Sequence, residues 1–201
     1  QLKSANGITV GSKIAIAAKD YNYALSTEQK TNNRGQTSIS KYVEGNDSYL
    51  NISSNTQILE VKEELDGAYS LYTGEGYLAA TSSSENKLTT KSSLGSGKNA
   101  YWKINFTNGT AQIVSNGSYT RNTIRYNATS SLFSCYAQDN NQKDVVIYKE
   151  YEEKITVEVP DSDYQYPEAE SLVSISKAIE IANNAGETFT SNKYKISGYI
   201  E

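Results

Sequence analysis

A four-strand pattern that recurs three times between Gly11 and Lys149 restricts this chain more than any other feature. Ile58-Leu59-Glu60-Val61, Trp102-Lys103-Ile104-Asn105 and Val145-Val146-Ile147-Tyr148 recur 44 and 43 residues apart. Ala15-Ile16, Tyr69-Ser70-Leu71 and Ala111-Gln112-Ile113 form a second matching set. Tyr23–Ser26, Tyr77–Ala80 and Thr123–Tyr126 form a third, and Thr37–Ile39, Lys87–Thr89 and Leu132–Ser134 a fourth. A unit of this length cannot bury its own apolar face, so its copies must share one core. Closing the sheet on itself also removes its edges. The pattern therefore predicts an all-β domain, a β-trefoil-like threefold barrel of twelve strands. The first unit carries an insertion around Gly45-Asn46-Asp47-Ser48.

Turn chemistry falls where the repeat needs it. Asp66-Gly67, Asn108-Gly109 and Asn116-Gly117 are strong hairpin signals, because these residue types tolerate positive φ. Seventeen tyrosines at strand positions supply apolar area that a disordered chain lacks. Most of them, with Trp102, are expected to build the core and its rim.

Composition narrows the chemistry. The chain has no histidine, which removes histidine-based triads and histidine metal sites. Its single cysteine, Cys135, excludes an intrachain disulfide and reads as a small buried residue. No metal or other cofactor is expected. The acidic clusters Glu60/Glu63/Glu64 and Glu150/Glu152/Glu153 read as solvated faces. With a net charge of −4, no basic block marks an obvious nucleic-acid surface. No apolar run is long enough to span a membrane, and the absence of methionine leads us to expect a segment of a longer precursor.

The arginines stand out, three against sixteen lysines. They occupy Asn32-Asn33-Arg34-Gly35 and the segment from Arg121 to Asn127. Planar guanidinium groups beside asparagine amides suit phosphate, carboxylate or sugar hydroxyls. Asn33, Arg34, Arg121, Asn122, Arg125, Tyr126 and Asn127 are therefore the candidate binding residues. The competing reading is that they satisfy loop carbonyls and fix the long turns.

After Lys149 the composition shifts. Residues 151–170 are acidic, hold both prolines and read as a linker. Residues 171–201 read as a helix capped by Ser174, with Ile175, Ala178, Ile179 and Ala182 on one face, and then a strand at Lys193–Ile200. The domain boundary is expected near residue 150, with the tail either opening a second domain or docking on the first.

Ala24-Leu25-Ser26-Thr27-Glu28-Gln29 with Asn32-Asn33-Arg34, Gly76-Tyr77-Leu78-Ala79-Ala80, the Arg121–Asn127 segment, Leu132-Phe133-Ser134-Cys135-Tyr136 and Val145–Lys149 form an ordered set. This set, over residues 8–149, resembles a domain repeated across secreted and surface proteins of Bacteroides-type gut bacteria, found beside extracellular nuclease and other accessory domains. The tail resembles the start of an OB-fold-like domain. The resemblance implies a secreted or cell-surface, non-catalytic module, and the reading that follows is recognition of an extracellular glycan or other polymer. The alternatives are an accessory domain holding nucleic acid for an extracellular nuclease, and a structural or adhesion spacer. The sequence does not reveal an oligomeric state.

Overall fold

The β-branched and tyrosine-rich segments form strands wherever apolar residues alternate between glycine or asparagine turns. The structure is a computed structural model describing residues 1–138 and 140–151 together with two short tail strands. Gln1–Glu150 forms one unit and Tyr151–Glu201 another. Fourteen strands lie in the first: β1 (Lys13–Ala18), β2 (Tyr23–Gln29), β3 (Arg34–Ser38), β4 (Ser40–Glu44), β5 (Asp47–Asn51), β6 (Leu59–Leu65) and β7 (Ala68–Tyr72), then β8 (Tyr77–Ala80), β9 (Leu88–Lys91), β10 (Tyr101–Thr107), β11 (Thr110–Ser115), β12 (Thr123–Asn127), β13 (Leu132–Tyr136) and β14 (Val145–Lys149).

Six of these strands close into a ring. β1 pairs with β6, β6 with β7, β7 with β10, β10 with β11, β11 with β14, and β14 returns to β1. Three hairpins, β2–β3, β8–β9 and β12–β13, extend the same twelve-stranded sheet, and β13 joins β3 through Phe133↔Arg34. The inward residues of the ring make one buried cluster: Ile14, Ile16, Val61, Leu71, Trp102, Ile104, Ile113, Val145 and Ile147 all belong to it. The strands set apart by the 44- and 43-residue spacing thus share a core, although Ile58 is only half-buried. Trp102 is fully buried and donates its Nε1–H to Leu78 O at 2.9 Å, as a buried indole must. Cys135 is buried in the same cluster, and burial pushes its thiol pKa up.

Two of the three expected glycine turns have the expected conformation. Asp66 and Gly67 stand at φ 53° and 73°, and Asn108 and Gly109 at 51° and 75°, which suits a two-residue turn joining twisted strands. Asn116-Gly117 differs, because neither residue has a positive φ among those that do. There the glycine answers a close approach instead: a Cβ on Gly117 would sit 1.8 Å from Asn99 Oδ1.

The insertion in the first unit is a separate hairpin, β4–β5. It explains why β1 reads as a nearly continuous apolar run. Ile14 and Ile16 face the ring core, whereas Ala17 joins Ala24, Ile39, Val146 and Tyr148 in a second cluster, against which Leu50 of the hairpin packs. Lys41 pins the insertion by donating to Ala18 O, Lys19 O and Tyr21 O at 2.5, 2.8 and 2.8 Å.

In the second unit, β15 (Leu172–Val173) and β16 (Lys195–Ile196) pair in parallel. The expected linker from 152 onward and the helix capped by Ser174 lie outside the described residues.

Candidate functional site

The seven residues singled out from the sequence lie on the β2–β3 and β12–β13 hairpins and in the segment leading into β12, and each already has partners in the protein. Arg34 is 3% exposed. Its Nη1 donates to Thr90 Oγ1 at 3.0 Å and Gln29 Oε1 at 3.3 Å, and its Nη2 to Ser26 O at 3.1 Å and to Gln57 Oε1. Burial holds its guanidinium pKa below the ordinary value, with Glu75 opposing. Hydrogen-bonding surroundings orient the Asn33 amide so that its nitrogen lies 2.9 Å from Asn86 O and within reach of Ser134 Oγ. Arg121 donates to the side chain of the same Asn86 at 2.7 Å, so Asn33 and Arg121 grip one loop between them.

The rest of the Arg121–Asn127 segment is engaged in the same way. Arg125 pairs with Asp144, the arginine 13% and the aspartate 43% exposed in their side chains. Tyr126 is 1% exposed, rests against Phe133 and Tyr21 with centroids at 5.0 and 5.3 Å, and donates its hydroxyl to Gln36 Oε1 at 2.5 Å. Asn127 donates to Tyr136 OH and accepts from Ser130 N, both at 3.0 Å, which folds the β12–β13 turn. The Asn122 side chain accepts from Thr123 Oγ1 at 3.3 Å. The Nε atoms of Arg34, Arg121 and Arg125 have no hydrogen-bond partner but are themselves buried, so a ligand arriving from solvent does not meet them. The arrangement matches the loop-fixing reading of these residues.

A different surface combines aromatic faces with accessible polar groups. It lies on the outer side of β6, β7, β8 and β10. Glu60 stands directly across from Tyr72, and a β-bulge follows between Val61 and Glu64. The buried Ser70 hydroxyl accepts from the Glu63 backbone N–H at 2.9 Å and so holds the bulge in place. The extra residue lets both Lys62 and Glu63 point to solvent, a re-aiming that bulges commonly perform.

Tyr72 and Tyr77, cross-strand partners flanking the Thr73–Gly76 turn, meet with centroids 5.3 Å apart and planes inclined at 62°. Lys62 Nζ lies 5.5 Å from the centroid of Tyr72 and 2.6 Å from Glu60 Oε1. Tyr101 donates its hydroxyl to Glu63 Oε2 at 2.8 Å, and desolvation followed by that bond raises its pKa. Tyr72 in turn donates to Gly74 O at 2.8 Å, tying the turn to the ring. Gly74 stands at φ +100°, and a Cβ on Gly76 would lie 2.4 Å from Lys91 O, so both glycines are required by the local backbone.

The sequence reading placed the Glu60/Glu63/Glu64 cluster on a solvated face and did not connect it with the tyrosines. The signal was available: period-two alternation through Glu60-Val61-Lys62 sends both charges outward, and Tyr72 and Tyr77 bracket a short glycine turn. What could not be read was the bulge that adds Glu63 to the same face. Among the described residues no group of acidic or thiol side chains is arranged to hold a metal ion, and no helix is long and apolar enough to cross a membrane.

No family model matches the chain, and no curated protein does. Among solved structures, 70% of the chain superposes on 33% of the GlcNAcα1-4Gal-releasing endo-β-galactosidase from Clostridium perfringens, with a TM-score of 0.51 at 11% identity. For the lysenin pore the values are 72% of this chain, 50% of the other, 0.46 and 13%. For the Polyporus squamosus lectin, solved with the epitope Neu5Acα2-6Galβ1-4GlcNAc, they are 73%, 51%, 0.46 and 16%. The chain thus spans between a third and about half of these proteins. The likeness to the galactosidase is one of fold.

Proposed function

We propose that this chain is a non-catalytic, secreted or cell-surface module whose β-trefoil domain binds a glycan through the outer face bearing Tyr72, Tyr77, Lys62, Glu60 and Glu63. The ring of six strands with three hairpins on one sheet supports the trefoil assignment. The observation that carries the functional reading is the accessible tyrosine pair with carboxylates and an ammonium beside it. Aromatic faces hold the apolar side of a sugar, and carboxylates, hydroxyls and amines meet its hydroxyl groups.

The same surface argues against nucleic acid. Glu60 and Glu63 balance the ammonium groups of Lys62, which pairs with Glu60, and of Lys91, which lies across from Tyr77, so the face carries no excess positive charge to draw a phosphate backbone. A non-catalytic role is supported by the absence of histidine and by the burial of the one thiol. The secreted or surface location rests on the resemblance of residues 8–149 to surface modules of gut bacteria, and protease accessibility on intact cells tests it.

The test of binding is a glycan and oligonucleotide array probed with the full chain, followed by titration of the best ligand. Tyr77→Ala should weaken binding about tenfold or more, since truncating a central aromatic anchor costs roughly 1–2 kcal/mol or above. Tyr42→Ala, on the β4–β5 hairpin, should leave it unchanged. Binding to oligonucleotides alone, falling steeply with salt, would instead establish the nucleic-acid reading.

A further inference from the structure

Resting on the glycan reading above, we infer that Ser70 is a positioning residue of the Tyr72–Tyr77 face. It touches no ligand, but it fixes Glu63 where a sugar hydroxyl can meet the carboxylate. Ser70 lies on β7 between Tyr69 and Leu71, which pack on the core, so alternation turns its side chain outward with that of Tyr72. An outward serine is ordinarily exposed, yet Ser70 is fully buried. Both of its neighbouring strands cover it. Tyr101 of β10 stands directly across from it on one side. On the other, the pairs Val61↔Leu71 and Glu64↔Tyr69 leave two residues of β6, Lys62 and Glu63, facing Ser70 alone.

Alanine would satisfy burial as well. The hydroxyl answers a need of the bulge, which disrupts the regular ladder and leaves a backbone group to be paired. Ser70 Oγ accepts the Glu63 N–H at 2.9 Å. At the far end of the same residue, Tyr101, itself 7% exposed, donates its hydroxyl to Glu63 Oε2 at 2.8 Å. Glu63 is thus held at its backbone by one member of the Ser70–Tyr101 cross-strand pair and at its carboxylate by the other. Without the bulge, strict alternation would carry Glu63 to the side of Val61, into the core.

The clamp leaves Glu63 exposed, with lone pairs to spare for a ligand hydroxyl. An acceptor ordered beforehand loses little freedom on binding, so more of its hydrogen bond appears as affinity. The Tyr101 hydroxyl reports on the clamp without any ligand, because desolvation and then the bond to Glu63 raise its pKa.

The experiment uses the full chain as Ser70→Ala, Glu63→Gln and the double variant, titrated with neutral galacto-, gluco- and manno-tetrasaccharides. Ser70→Ala should weaken the tightest of these about three- to tenfold, the loss expected for one hydrogen bond. In the Glu63→Gln background the same change should add less than about twofold, because Ser70 acts through Glu63. With no sugar present, ring NMR should show Tyr101 titrating at lower pH in Ser70→Ala than in the parent chain. Unchanged binding by Ser70→Ala, full additivity of the two substitutions, or an unmoved Tyr101 titration overturns the inference and leaves the glycan reading standing. Binding of none of the three sugars overturns the glycan reading, and with it the part of Ser70 in binding.

Discussion

Replacing Arg34 by alanine separates a scaffold residue from a ligand contact. The guanidinium donates to four acceptors, and two of them lose their donor outright: Ser26 O at 3.1 Å and Gln57 Oε1. Gln57 cannot swing away, because its amide donates to Ile58 O and Thr73 O at 2.7 and 2.8 Å. Gln29 Oε1 is better placed, since Thr90 Oγ1 still donates to it at 3.2 Å. Two stranded acceptors at about 1–3 kcal/mol each give a destabilisation of roughly 3–5 kcal/mol once the vacated volume is included. For a domain of this size that lowers the melting temperature by roughly 6–20 °C. Urea unfolding should show a lower midpoint with an unchanged slope. Arg125→Ala should cost less, about 1 kcal/mol or below, because its partner Asp144 is 43% exposed and solvent screens the pair. A melting temperature unchanged by Arg34→Ala, together with lost ligand binding, would refute the scaffold assignment.

Gly76→Ala should destabilise by about 1–3 kcal/mol, since the new methyl would press on the backbone oxygen of Lys91, and it should also weaken ligand binding by shifting Tyr77; calorimetry and titration check the two effects. Lys41→Met should cost roughly 1–3 kcal/mol by stranding the carbonyls of Ala18, Lys19 and Tyr21, read as a lower thermal midpoint. Tyr101, Tyr126 and Tyr136 all have raised pKa values, desolvation being the main cause in each. Their stabilising contribution is therefore complete below the unfolded tyrosine value of about 10 and is lost as pH climbs through the folded values, so melting temperature should fall with the onset of tyrosinate absorbance above that pH.

The strands were legible because burial imposes alternation and the repeat gives three independent copies of the same pattern. Val61, Ile104 and Ile147 could be placed in a common core from spacing alone, and Trp102 and Cys135 from their strand positions. Asn116-Gly117 does lie in the connection between the paired strands β11 and β12, but without the expected positive φ, because its glycine answers contact with Asn99, a residue distant in sequence. The arginine motifs were found, but a sequence cannot say whether a donor faces solvent or a stranded carbonyl. Arg34 illustrates the point, since Thr90 comes from another repeat and Gln57 lies beyond the insertion in its own. The Tyr72–Tyr77 face escaped notice for a related reason. Its composition depends on a one-residue bulge after Val61, which changes no residue type and so leaves no mark in the pattern.

Amide chemical-shift mapping during titration with the best oligosaccharide from the array tests the location of the binding face most directly. The expected shifts concentrate at Glu60, Lys62, Glu63, Tyr72–Tyr77 and Tyr101. Shifts concentrated instead at Asn33, Arg34 and Arg121–Asn127, with the Tyr72–Tyr77 turn unmoved, would contradict it and return the binding function to the arginine motifs.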